Sequence, residues 1–383
     1  MPQLKTDPMK VLITGADGFV GKNLQLHLAE RKNVQVVCFT RSHEVAQLSQ
    51  LLEGVDFVFH LAGVNRPQDP LEFNTGNADL THALCQAVCM VAQSTGKKVP
   101  IICTSSTQAG RDNPYGQSKL AAEEALRAAE RSYQVPVHIF RLPNVFGKWC
   151  KPNYNSAVAT FCHNIARDLS IQVNDPTAPI TLVYVDDVIE RLVQLMDGAD
   201  ASEGPDGFAS VAPQFTTTVG ELARQIKAFK DSRSTLMTER VGTGLVRALY
   251  ATYVSYLPVE SFTYTVPQYA DPRGMFAEML KTPDCGQISF FTAHPGITRG
   301  GHYHHSKTEK FLVIKGQARF KFRHMQTGQT HELVTTGDKS EIVETVPGWT
   351  HDITNISTDE MIVMLWANEV FDRERPDTFA CAV

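Results

Sequence analysis

No apolar run in this sequence approaches the ~20 residues that a bilayer-spanning helix needs. The first ten residues also lack the apolar stretch and small-residue cleavage site of a secretory leader. A membrane partner is therefore not expected, and a cytoplasmic location is. Positive charge is not in excess: 36 Lys and Arg stand against 41 Asp and Glu, a formal net charge of -5. A polyphosphate backbone would find no basic field, so nucleic acid is not expected as a partner and any phosphate must be held locally. The eight cysteines form no C-x-x-C pair, and several, such as Cys38, lie inside apolar runs. They read as reduced core residues, which suits the cytoplasm. Internal repeats and low-complexity tracts are absent as well.

What is present is an ordinary globular composition, 43% hydrophobic and 20% charged over 383 residues, long enough for two cores. Short apolar runs at 10–14, 34–39, 56–61, 99–104 and 137–141 alternate with helix-like stretches. That order predicts an α/β Rossmann-type, doubly wound parallel sheet. The interval 41–56 is too short for a full helix and strand, so one customary unit is expected to be shrunken. The region 198–214 reads as a loop, followed by helix-like stretches at 219–229 and 241–256. After Pro258 the character changes. Runs at 287–292, 310–314, 318–323, 341–345 and 361–366 are broken by Gly and Pro turns, the spacing of an all-β sandwich or barrel. The expected domains are residues 1–257 and 258–383.

Directly after the first apolar run stands Gly15-Ala16-Asp17-Gly18-Phe19-Val20-Gly21, a G-x-x-G-x-x-G loop that opens a helix. Glycines serve there because the backbone must turn tightly and admit a pyrophosphate to the helix N-terminus. The second strand ends without the acid that would hold a ribose 2′-hydroxyl. Arg41 follows instead, and its guanidinium suits a 2′-phosphate, so NADPH is expected over NADH. Farther on, Tyr115-Gly116-Gln117-Ser118-Lys119 puts a phenol and an ammonium four apart on one helix face. The ammonium favours the phenolate, which lets Tyr115 exchange a proton with a carbonyl being reduced. A hydroxyl from Ser105 or Ser106 can donate to the same oxygen.

In that order these segments resemble the extended short-chain dehydrogenase/reductases (SDRs) that modify sugar nucleotides. The resemblance covers the first two-thirds of the chain and makes Tyr115 the catalytic acid and Lys119 its partner. Ser106 is favoured over Ser105 as the hydroxyl donor. Leu61, Ala62 and Gly63 would line the cofactor, and Asn144 of the R-x-x-N-x-x-G segment would touch the sugar nucleotide. His60 reads as a core histidine rather than a catalyst.

The second part carries G-x5-H-x-H-x4-E-x6-G from Gly296 to Gly316, with His302, His304 and Glu309, then Pro347-Gly348-Trp349-Thr350-His351. Alternate residues on a strand point the same way, and neighbouring strands can add Glu309 and His351. Three imidazoles and a carboxylate suit zinc or another divalent metal. The spacing resembles the two motifs of the cupins, a jelly-roll family, the second motif having a longer lead and a P-to-H spacing one residue shorter. Asp271-Pro272-Arg273-Gly274-Met275-Phe276 and Arg299-Gly300-Gly301-His302-Tyr303 also resemble 4-keto-6-deoxysugar nucleotide epimerases, which makes Arg299 a substrate contact. In those enzymes this histidine is a metal-free base, whereas here His304, Glu309 and His351 accompany His302, so the metal role is preferred and the base is unassigned.

With both domains in this order, the chain resembles the bifunctional reductase-epimerases of capsular-polysaccharide and L-fucosamine synthesis. The resemblance implies a UDP-2-acetamido-2,6-dideoxy-hexos-4-ulose, epimerised at C3 in the cupin and reduced at C4 with NADPH. The product would be UDP-N-acetyl-6-deoxy-L-talosamine, and a homodimer is expected. Two other readings stay open: a plain reductase with a structural cupin, and a non-catalytic NADP sensor.

Overall fold

The computed structural model describes residues 8–201, 204, 206–305, 307–325 and 327–383. They divide into two compact units. One runs through Ala223 and takes in Ala251–Tyr256; the other is Arg224–Tyr250 with Leu257–Val383. Most of the stretch on which the no-leader expectation rests lies outside the described residues. Among those residues no helix is long and apolar enough to cross a membrane.

In the first unit, β1 (Met9–Thr14), β2 (Val34–Phe39), β3 (Phe57–His60), β4 (Ile101–Ser106) and β5 (Val137–Leu142) form a sheet in the order β2-β1-β3-β4-β5. Every pair is parallel. Parallel strands buried on both faces must be apolar throughout, and Val11, Leu12 and Ile13 are fully buried. The connecting helices are α1 (Phe19–Ala29), α2 (Leu48–Leu51), α3 (Leu80–Thr95) and α4 (Pro114–Tyr133). The shrunken interval is filled by one 3-10 turn, Val45–Gln47, and the single turn of α2. Leu84 and Val88 of α3 and Leu126 of α4 pack with Val58, Ile101 and Ile139 into one core cluster. Each such side chain contributes about 2 kcal/mol by leaving water.

The chain then forms a small sheet, with β6 (Asn144–Phe146) parallel to β7 (Pro179–Tyr184) and β7 antiparallel to β8 (Phe215–Thr218). Helices α5 (Ala157–Ala166) and α6 (Val185–Met196) belong to the same unit. Helix α6 starts at Val185 with Asp186 and Asp187 in its first turn, where carboxylates complement the helix dipole. The stretches expected to be helical are α7 (Val219–Thr235) and α8 (Gly244–Ser255).

The second unit is all antiparallel in its sheets. Its strands are β9 (Gln268–Asp271), β10 (Gly274–Thr282), β11 (Gly286–Ala293), β12 (Thr298–Tyr303), β13 (Glu309–Lys315), β14 (Gln317–His324), β15 (Thr330–Thr336), β16 (Ile342–Glu344), β17 (Trp349–Asn355), β18 (Met361–Ala367) and β19 (Phe379–Ala380). One sheet runs β16-β13-β18-β11-β10-β9 and the other β15-β14-β17-β12-β19. In β14 the alternation buries Ala318, Phe320 and Phe322, the period of a sheet with one face on a core. Phe291, Phe311, Val313, Ile353 and Val363 complete that core. The fold class is the one expected: a Rossmann-type unit of the extended SDR kind followed by a β-rich cupin unit.

Candidate active site and metal centre

At the end of β1, Gly15 donates its N–H to the Phe39 carbonyl at 3.0 Å, and Gly18 donates to the Gly15 carbonyl at 2.9 Å. Gly15 has φ +70°, and a Cβ there would stand 2.6 Å from the Ala62 nitrogen, so both the turn and the closeness of the 61–63 loop require glycine. Helix α1 begins with Gly18 as its N-cap, which brings no capping side chain, and no acid lies in the first turn. The positive end of the helix is therefore uncompensated, which fits a pyrophosphate. Asp17 and Gly18 are exposed, and Phe19 and Val20 half-buried. Leu61 and Ala62 are tied to this turn through N–H bonds to the Thr14 carbonyl at 3.1 Å and hydroxyl at 3.3 Å. Arg41 is exposed just past the end of β2, the strand beside β1.

Helix α4 is started by Asn113, whose side-chain oxygen accepts the Gly116 N–H at 2.8 Å, with Pro114 in the first turn. This sets Tyr115 half-buried against Phe73, ring centroids 5.8 Å apart. One turn on, the Lys119 ammonium donates to the Thr104 carbonyl at 3.4 Å, and a Cβ on Gly63 would lie 2.9 Å from it. Lys119 thus stands between the end of β4 and the loop of Leu61, Ala62 and Gly63. The two serines differ. Ser105 donates to the buried Glu123 carboxylate at 2.5 Å, and Glu123 is paired with Arg141 at 2.6 Å. Ser106, on the opposite strand face, accepts the Gln108 N–H at 3.1 Å and keeps its own proton to donate.

His60 lies in the core, between Thr14 Oγ1 and Thr81 Oγ1, each at 2.7 Å. Burial, helped by the Lys119 charge, pushes it down to about 3. Asn144 is exposed on β6, its amide donating to the Thr181 carbonyl at 3.0 Å.

In the second unit, His302, His304, Glu309 and His351 each offer a ligand atom, all within 4.8 Å of one another. His302 on β12 is the register partner of His351 on β17, after a bulge between Gly300 and His302. At Gly300, φ is +93° and a Cβ would meet the His351 carbonyl at 2.9 Å, so the bulge that re-aims His302 needs glycine. His304 Nδ1 lies 2.5 Å from the Asp377 carbonyl, which can only accept. With that proton on Nδ1, Nε2 turns a lone pair to the Glu309 carboxylate at 3.2 Å, a contact that repels unless positive charge stands between. Both nitrogens of His351 are buried without a hydrogen-bond partner, and Nε2 stops 3.6 Å from Glu309. Burial first, and then the neighbouring His351, pushes His302 down to about 4, which keeps its lone pair available. Burial would raise Glu309, but its close neighbours His304, His351 and Lys307 hold it below the usual carboxylate range. The donor set, its burial and its unpaired nitrogens fit a divalent metal such as zinc. His305 is exposed and packs on Phe379, away from this cluster.

Arg299 lies with its guanidinium 5.1 Å from the Phe291 ring, and its buried Nε has no partner. Burial, followed by the charge of Arg273, draws it below the ordinary arginine range. Arg273 is itself paired with Asp271 at 2.6 Å, which leaves the Arg299 guanidinium as the group open to an anion. Sequence reasoning missed Asn77. This side chain is buried, donates to the Val64 carbonyl at 2.9 Å and to Ser118 Oγ at 3.0 Å, and accepts the Val64 N–H at 2.8 Å. It fastens the chain just past Gly63 to the Tyr115 helix. The only signal was the run Asn74–Asp79 of poor helix formers, which is π-helical.

Residues 11–209 match the NAD dependent epimerase/dehydratase family, and residues 269–379 match the polysaccharide biosynthesis C-terminal domain. A UDP-2-acetamido-2,6-beta-L-arabino-hexul-4-ose reductase of Pseudomonas aeruginosa is 62% identical over 375 residues, covering 98% of this chain and 99% of that protein. The crystal structure of the capsular polysaccharide assembling protein CapF from Staphylococcus aureus superposes with a TM-score of 0.89 at 41% identity, over 98% of this chain and 100% of that one. A UDP-glucuronic acid 4-epimerase from Bacillus cereus, in complex with UDP-glucuronic acid and NAD, shares the fold over 65% of this chain and 99% of its own, at 19% identity and a TM-score of 0.52. The chain thus belongs to the NAD dependent epimerase/dehydratase family, and within it to the CapF-like proteins that carry a polysaccharide biosynthesis C-terminal domain.

Proposed function

We propose that this chain is a bifunctional sugar-nucleotide enzyme acting on a UDP-2-acetamido-2,6-dideoxy-hexos-4-ulose. Its cupin, residues 258–383, inverts C3, and its reductase, residues 1–257, then reduces the C4 ketone to give UDP-N-acetyl-6-deoxy-L-talosamine. One observation carries the reading: a chain with the Tyr115 and Lys119 pair beside the glycine loop also gathers His302, His304, Glu309 and His351 within 4.8 Å. The name of the Pseudomonas relative supports the substrate class.

In the reductase, Gly15, Asp17, Gly18, Phe19, Val20, Gly21, Leu61, Ala62 and Gly63 would hold NADPH, and Arg41 would pair with its 2′-phosphate. When bound, the cofactor would supply the hydride for C4. Tyr115 gives its proton to the C4 oxygen, Lys119 stabilises the phenolate left behind, and Ser106 donates to the same oxygen. Ser105 is committed to Glu123. Asn144 binds the nucleotide sugar in the reductase, and Arg299 binds it separately in the cupin.

In the cupin, a divalent ion would supply Lewis acidity to the ketone oxygen. His302, His304 and His351 would hold it with imidazole nitrogens and Glu309 with a carboxylate oxygen, which would also balance its charge. The C3 proton of a 4-keto sugar is acidic because its loss gives an enolate, and reduction of the ketone removes that acidity. Epimerisation therefore precedes reduction. The enzyme works as a homodimer in the cytoplasm.

Protein, 4-keto substrate and NADPH in deuterated water should place deuterium at C3 of the product. Tyr115→Phe should stop NADPH loss yet leave the exchange; loss of both would refute the division of labour. The relative's name mentions reduction alone, which favours a second reading, a reductase with a structural cupin. Under it, chelation changes neither exchange nor product configuration.

A further inference from the structure

A histidine that binds a metal through one nitrogen needs the other held in place. For His304 the holder comes from far along the chain: the Asp377 carbonyl accepts its Nδ1–H at 2.5 Å. The Asp377 side chain grips the same loop twice more. Its Oδ1 accepts the His305 N–H at 2.9 Å and its Oδ2 the Lys307 N–H at 2.8 Å. One residue thus clamps the turn between two members of the cluster, His304 and Glu309, without belonging to it.

The segment that follows touches the neighbours of every other member. Thr378 Oγ1 accepts from the buried Lys307 ammonium at 2.8 Å, and that ammonium lies 3.8 Å from Glu309. Phe379 stacks on Tyr303 with centroids 5.4 Å apart, and β19 pairs with β12 at His302 and Tyr303. Cys381 donates its N–H to the Gly301 carbonyl at 2.8 Å and accepts from the Thr350 hydroxyl, next to His351, at 2.5 Å.

We propose that residues 377–381 form a strap over the ligand strands and that Asp377 is a positioning residue for the metal centre. Its carboxylate fixes the His305 and Lys307 amides and with them the place of its own carbonyl against His304 Nδ1. Its carbonyl keeps the His304 proton on Nδ1, so that Nε2 faces His302, Glu309 and His351. This rests on the metal reading given above.

The test uses the full chain loaded with Co(II), reading visible absorption and affinity by chelator competition. Asp377→Ala should lower affinity about 10- to 100-fold, the range for outer partners of metal ligands, and alter the cobalt absorption bands. Asp377→Asn keeps one acceptor oxygen and should fall between; it decides the matter if the alanine variant does not fold. Binding of NADPH should be unchanged in both. Both variants keep the backbone carbonyl, so wild-type affinity and absorption in both would show that the carboxylate does not position His304 and would overturn the proposal. Failure of the unaltered chain to bind Co(II) or Zn(II) would overturn the metal reading and the proposal with it.

Discussion

His60 gives a quantitative test of the reductase core. It ends β3, is 2% exposed, and sits between two threonine hydroxyls. Thr81 gives its own proton to the Asn77 carbonyl at 2.6 Å, so it accepts from His60 Nε2. Burial, then the Lys119 charge, holds the ring at about 3 in the folded chain, against about 6.5 when unfolded. Below about pH 6.5 the unfolded chain therefore takes up a proton that the folded chain refuses. The stability is fully present above that pH and is lost as pH falls toward 3. From about pH 7.5 to about pH 5.0 the loss is about 1.5 pH units times about 1.4 kcal/mol, or about 2 kcal/mol. Hydrogen exchange of the β1 and β3 amides, corrected for its intrinsic pH dependence, reads this unit separately from the β unit. His60→Gln keeps a donor for Thr81 and an acceptor for Thr14 but does not titrate. Its loss of stability over that interval should be about 2 kcal/mol smaller. Equal pH slopes for the two proteins would refute the reasoning.

Asn77→Ala removes three hydrogen bonds that fasten Val64 and Ser118 together. At about 1 kcal/mol each, stability should drop by about 3 kcal/mol, or roughly 6–12 °C in Tm. A thermal melt checks this, and NADPH titration should show weakened binding because Gly63 adjoins the loosened stretch. Arg41→Ala should raise the Kd for NADPH about tenfold or more while leaving NADH unchanged, since only the 2′-phosphate loses a charge-assisted bond. Equal effects on the two cofactors, measured by fluorescence titration, would remove Arg41 from 2′-phosphate recognition.

The large elements were legible because burial on both faces leaves no freedom of composition. In β1, Val11, Leu12 and Ile13 are buried on both faces and form an apolar run, which shows the strand. The same rule explains what went unread. β6 has only three residues, and β8 is Phe-Thr-Thr-Thr, with neither alternation nor a continuous apolar stretch. β12 reads Thr-Arg-Gly-Gly-His-Tyr, whose paired glycines look like a turn and in the structure make a bulge. Its place in the sheet comes from pairing with β17, a contact between residues far apart that no local pattern records.

The residues proposed to bear the chemistry stood out for a related reason. Gly15 and Gly300 answer steric demands that almost no other residue meets, and imidazoles at His302 and at His304, which lies just past the end of β12 rather than on it, answer a demand for lone pairs in one place. Such demands leave a fixed residue type at a fixed spacing. The partners that aim these groups leave no such trace. Asn77 works through an amide that must only be present, buried and near Val64, while Asp377 holds His304 through a carbonyl that every residue possesses. Ser105 and Ser106 are neighbours of identical type; the resemblance favours Ser106, and the physical reason is Glu123, whose carboxylate accepts from Ser105 at 2.5 Å. Sequence therefore names the groups proposed to react, whereas the geometry that commits one of two equal hydroxyls and leaves the other is written in contacts between distant strands and helices.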